Sequence, residues 1–132
     1  MNHKELLEEA KKARLKSISP YSHFAVGAAL MCKDGTVFHG ANIENASFPL
    51  CMCAERTAIY SAILAGKKKE DFVALAVVAD APRPVSPCGA CRQVMSELLN
   101  KDVPVIMGNL KGIAKESKVA ELLPYAFEES DM

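Results

Sequence analysis

The chain has 132 residues and a mass of 14.3 kDa, enough to bury a real core, and the expectation is a single domain over residues 1–132. Lys+Arg and Asp+Glu both number 16, so the formal net charge is +0, which argues against a dedicated nucleic-acid binder. No run approaches the roughly 18–20 apolar residues of a membrane span, and Met1–Ser19 has no apolar h-region, so no membrane partner is expected and the chain reads as cytoplasmic. Five cysteines in a reducing compartment suggest metal binding or catalysis before disulfides.

Residues 2 to about 18 read as an amphipathic helix, with Leu6, Leu7, Ala10 and Ala13 on one face and Ser19-Pro20 as its stop. Val26–Cys32 and Thr36–Ile43 read as a hairpin around Lys33-Asp34-Gly35. Glu44–Met52 is loop-like. Ala54–Ala65 is apolar almost all round and predicts a buried helix, with Gly66 as its C-cap. Val73–Ala79 is a continuous apolar run, as for a strand covered on both faces. A proline-rich loop, an amphipathic helix over Gly89–Asn100 and a buried strand over Val103–Met107 follow, and Lys115–Leu123 fits either a short strand or a last helix. Strands alternating with helices predict an α/β layered domain with a partly parallel sheet.

Two segments carry chemistry: Cys53-Ala54-Glu55 and Pro87-Cys88-Gly89-Ala90-Cys91, each at a helix start after a loop. Cys88-x-x-Cys91 alone fits a redox pair, half of a structural zinc site or a chance pair. Cys53 alone fits a buried small hydrophobe. Together, three thiolates can converge on one tetrahedral metal and leave its fourth position open for water. Glu55, two residues past Cys53, is too acidic for an apolar helix without a partner or a task.

Cysteine-x-Glu followed by Pro-Cys-x-x-Cys resembles the zinc deaminase signature. Residues 40–46, 53–58, 86–93 and 121–124 are similar, in order, to the small homotetrameric cytidine deaminases, and the likeness runs from Leu6 to about Phe127. It implies a three-layer α-β-α sandwich with a mixed, about five-stranded sheet, and one Zn2+ per subunit on Cys53, Cys88 and Cys91. It implies hydrolysis of cytidine and deoxycytidine to uridine and deoxyuridine plus ammonia, in pyrimidine salvage. A zinc-activated hydroxide attacks C4 while Glu55 shuttles protons. By the same likeness Asn42 and Glu44 bind the ribose hydroxyls, Phe24 packs on the base, Ala54 offers a backbone N–H, and Phe127 closes a neighbour's pocket. Phe48 stands where many relatives have tyrosine. Zinc with three thiolates carries net charge −1. Arg56, three residues after Cys53 on the same helix face, is expected to hydrogen-bond ligand sulfurs and draw off charge.

Rival readings are a deaminase of another aminopyrimidine, a structural zinc module with Cys51 as fourth ligand, and a redox Cys-x-x-Cys protein. The last leaves Cys53 and Glu55 unexplained.

Overall fold

A computed structural model describes all of residues 1–132. Helix α1 spans His3–Arg14, with an Asn2–Glu5 capping box: Glu5 N donates to Asn2 Oδ1 at 2.8 Å and Asn2 N to Glu5 Oε1 at 3.1 Å. The helix stops four residues short of the expected end. Lys16 N and Ser17 N bond back only three residues, and Ile18 is drawn into a bridge with Ile43 (Ile18 N to Asn42 O, 3.0 Å). That cross-chain pairing outcompetes helical propensity at residues 15–18.

Strands β1 (Val26–Cys32) and β2 (Val37–Ala41) form the expected hairpin, with Gly35 at φ 89° in its turn. β2 is shorter than Thr36–Ile43, because Ile43 leaves β1 to bridge Ile18 and Met52. A 3-10 turn (Phe48–Leu50) interrupts the loop before α2 (Ala54–Leu64). Gly66, at φ 95°, ends α2, and Lys67 N bonds Ala62 O at 3.0 Å. Then come β3 (Phe72–Ala79), α3 (Gly89–Leu98) and β4 (Pro104–Asn109). The ambiguous segment resolves into both readings, β5 (Ala114–Lys118) and the short α4 (Val119–Leu122).

The sheet order is β2-β1-β3-β4-β5, with β3–β4 parallel and the other pairs antiparallel. Strand alternation divides the core into two layers. Ala74, Ala76 and Val78 of β3 face Leu6 and Ala10 of α1, while Leu75 and Val77 join Ala58, Ile59 and Met95 of α2 and α3. Helices therefore cover both faces of a mixed sheet, the α-β-α sandwich the resemblance implies. Each fully buried Leu or Ile, such as Leu75 and Ile59, contributes about 1.5–3 kcal/mol.

Two glycines let helices sit directly on the hairpin. A Cβ on Gly27 would lie 2.1 Å from Ala10 O, and one on Gly40 would lie 2.2 Å from Ala54 O. The second contact presses β2 against the first turn of α2, where the chemistry-bearing residues begin.

α2 is buried on one side only, which corrects the reading of a wholly buried helix. Ala54, Glu55, Ala58, Ile59 and Ala62 face the core, whereas Tyr60, Ile63 and Leu64 are exposed, Leu64 by 88%. The apolar outer face has no layer within this chain to cover it.

Candidate active site

Both chemistry-bearing segments arrive at helix N-termini. Cys53 is the N-cap of α2 and Cys88 the N-cap of α3, both in extended conformation, and Cys91 lies in the first turn of α3. Thr57 Oγ1 donates to Cys53 O at 2.9 Å and steadies that corner. The three Sγ atoms all lie within 4.8 Å of one another, and Cys53 and Cys88 are 3.8 Å apart. A tetrahedral zinc with arms of about 2.3 Å needs sulfurs roughly 3.8 Å apart, so the donor set fits the ion. The helix N-termini add positive potential that favours thiolates.

Arg56 lies one turn along α2, and its Nη2 donates to Cys53 Sγ at 3.3 Å. Hydrogen bonds from Cys91 and Arg56 bring Cys53 down to about 5, while Cys91, facing the Cys53 sulfur, is pushed up. Arg56 is held more firmly charged by the Cys53 sulfur. A cation binding here displaces the remaining thiol protons.

Glu55 is 4% exposed, and burial pushes its carboxyl up to about 7, with the nearby Cys53 adding to the rise. It lines a cavity of about 230 Å3 with Phe24, Asn42, Ala54, Cys53 and Cys88. Val26, Met52, Val85 and Ser86 complete the wall. None of these four has a side-chain type that singles it out; Ser86 is signalled by the family likeness, as a backbone carbonyl near the base, and the other three only by their neighbours in sequence.

Asn42 and Glu44, two apart, both reach the 21–26 segment. Asn42 Nδ2 donates to Phe24 O at 2.8 Å, and its Oδ1 accepts from Val26 N at 2.9 Å and from Ser17 Oγ. Glu44 Oε1 accepts from Tyr21 N (3.0 Å) and Ser22 N (3.1 Å), and Oε2 accepts from Ser22 Oγ. Asn42 lines the cavity, whereas Glu44 caps the neighbouring turn. Those hydroxyl partners, Ser17 and Ser22, escape sequence reasoning because serine in a loop carries no distinguishing pattern.

Phe127 does not line this chain's own cavity. It is 60% exposed beyond α4, with its carbonyl accepting from Gln93 Nε2 at 3.0 Å. Cys51 lies outside the sulfur cluster and is tied to Asn45, whose N donates to its sulfur at 3.2 Å. The fourth-ligand role that a structural zinc module needs thus has no support from Cys51. Cys32 is buried in β1, and His39 faces Glu9 at 2.9 Å.

Three sulfurs converging at paired helix N-termini, with a buried carboxyl beside them, define a metal site of the hydrolytic zinc class on a mixed α/β sheet. The family described as "Cytidine and deoxycytidylate deaminase zinc-binding region" matches residues 1–107. The chain is 56% identical over 132 residues to a cytidine deaminase of Halalkalibacterium halodurans, covering 100% of this chain and 98% of that protein. It is 52% identical over 132 residues to one from Sporosarcina psychrophila, covering 100% of this chain and 96% of that protein. The crystal structure of a cytidine deaminase from Burkholderia pseudomallei superposes with a TM-score of 0.94 at 52% identity, covering 96% of this chain and 100% of that one. The chain belongs to the zinc-binding cytidine deaminase family, and its chemistry is hydrolytic deamination.

Proposed function

We propose that this protein hydrolyses cytidine and deoxycytidine to uridine and deoxyuridine plus ammonia, with Glu55 as the proton shuttle. The observation that carries the reading is the buried Glu55 carboxyl beside three convergent cysteine sulfurs, with Glu55, Cys53 and Cys88 lining one small cavity. Cys53, Cys88 and Cys91 would hold the zinc. When bound, the ion supplies Lewis acidity and brings a water pKa down toward about 7. Glu55 takes the proton of the attacking water on a carboxyl oxygen and passes it to N3 of the base. It then takes the remaining proton from the new C4 hydroxyl and delivers it to the departing amine, so a C4–O bond forms and becomes the carbonyl, the C4–N bond breaks, and one water is consumed per ammonia released. A carboxyl near pH 7 both accepts and returns a proton at neutrality, which suits this double role.

The cavity is small beside typical ligand sites of roughly 300–1,000 Å3. That suits a pyrimidine packed against Phe24, with the Ala54 N–H toward the base and the sugar near the mouth. Asn42 and Glu44 meet the ribose hydroxyls there. Both are already oriented by the 17–26 backbone and its serines, and a carboxylate retains lone pairs for a further donor. Arg56 offsets the negative charge of three thiolates, as its contact with Cys53 supports.

The working form is a homotetramer acting in the cytoplasm on free nucleosides for salvage, without nucleic-acid or membrane partners. The uncovered apolar face of α2 and the exposed Phe127, which does not reach its own cavity, support self-association. No helix is long and apolar enough to cross a membrane.

The test is absorbance in the cytidine band with ammonia assayed in parallel. One ammonia per cytidine lost is the expected result. No turnover by folded, zinc-loaded protein, together with turnover of another aminopyrimidine, would replace the substrate assignment.

A further inference from the structure

The loop that delivers Cys88 to the site is poor in its own hydrogen bonds. Pro82, Pro84 and Pro87 lack amide donors, and the 80–88 segment has no regular structure. Two ties hold its first part: Asn109 Nδ2 donates to Ala81 O at 3.0 Å, and Val85 N donates to Gly108 O at 3.3 Å. Its last two residues before the cysteine, Ser86 and the buried Pro87, take their hydrogen bonds from one side chain. Arg92 Nε donates to Pro87 O at 2.8 Å, Nη2 donates to Ser86 Oγ at 2.5 Å, and Nη1 donates to Leu122 O at 2.8 Å at the end of α4. No other hydrogen bond within the chain reaches Ser86 or Pro87.

We infer that Arg92 is a positioning residue: its guanidinium clamps Ser86-Pro87 against the end of α4 and so fixes both the Cys88 sulfur and the cavity wall beside it. This rests on the cytidine deaminase reading above. Arg92 has no carboxylate partner, so the clamp works through donor geometry, not charge pairing. Three neutral acceptors from two separate chain segments converge on one planar fork, an arrangement that the single ammonium of lysine cannot reproduce. Cys88 is exposed and is the N-cap of α3, so its backbone is restrained from the N-terminal side through the clamped Ser86-Pro87 pair and, one residue further back, the Val85–Gly108 tie. Arg92 touches neither the sulfurs nor the reacting carbon, and its effect passes through Pro87 and Ser86.

The experiment compares wild type, Arg92→Ala and Arg92→Lys as zinc-loaded proteins at a temperature where all are folded by circular dichroism. It measures zinc release to a colorimetric chelator, and KM and kcat for cytidine. Both variants should release zinc at least about tenfold faster and show a raised KM, with kcat less affected. Added methylguanidinium should slow zinc release from Arg92→Ala and leave wild type and Arg92→Lys unchanged. Wild-type zinc release and KM in the folded variants overturn the clamp, and so does a lowered Tm with both of those unchanged, which marks a merely structural arginine. If Arg92→Ala does not fold, Arg92→Lys and Ser86→Ala carry the same zinc-release measurement. Failure of wild type to turn over cytidine would instead strike the substrate reading, because zinc release is read without any substrate.

Discussion

Arg56 Nη2 sits 3.3 Å from Cys53 Sγ, one helical turn away, while Arg56 Nε is buried with no hydrogen-bond partner. An arginine that leaves a donor unsatisfied loses on the order of 1–3 kcal/mol unless another interaction compensates. The anionic sulfur of Cys53 is that interaction, since it holds the arginine charged and is itself held as a thiolate. Removing the guanidinium should therefore be felt at the metal. Arg56→Ala should lower zinc affinity or kcat about 10–100-fold, and Arg56→Lys should recover only part, because a point charge lacks the planar fork. Competitive chelator titration beside steady-state kinetics checks this. Unchanged affinity and an unchanged pH–rate profile would remove Arg56 from the site.

Glu55→Gln preserves volume and removes the titratable carboxyl. Turnover should fall by about 10^2–10^4-fold with zinc content unchanged by metal analysis. A variant that retains most of its turnover would take the proton shuttle away from this residue.

Glu44 gives a pH prediction. Its carboxylate is held below the usual value of 4.5, first by the Ser22 hydroxyl and further by the Ser22 and Tyr21 amides. A depressed carboxyl pKa contributes stability that is present above the unfolded value and lost as pH falls through the folded one. The stability gap between wild type and Glu44→Gln should be widest above pH 4.5 and should close in acid. Denaturant midpoints taken across that range measure it, and a gap independent of pH would mean the turn does not depend on the charge.

Leu64→Glu places a charge on the exposed outer face of α2. If the proposed self-association uses this face, sedimentation velocity should show a shift toward smaller species than wild type, with activity falling alongside if Phe127 completes a neighbouring site. An unchanged sedimentation coefficient would assign the assembly to another face.

Gly40→Ala should destabilise by about 1–3 kcal/mol, since the added methyl meets the Ala54 carbonyl and the Ala58 backbone with no flexible side chain to give way. A lowered urea midpoint at unchanged slope is the expected signature. A midpoint equal to wild type would show that β2 and α2 can part without cost.

The sequence by itself determined which residue types could do the chemistry. Cys53, Glu55, Cys88 and Cys91 stand at helix starts because loop-to-helix boundaries are local, and the apolar run of β3 announces a strand buried on both faces. The hairpin was legible from Asp34-Gly35 for the same local reason. Only the tertiary structure decided what depends on distant segments. It ended α1 at Arg14, because Ile18 pairs with a bridge 25 residues away. It turned α2 so that half of an apolar helix faces outward, a choice made by which side the sheet covers and not by composition. It gave Glu44 and Asn42 their serine partners and gave Arg92 its three acceptors, since hydrogen-bond partners far apart in sequence meet only once the sheet has set the spacing between loops.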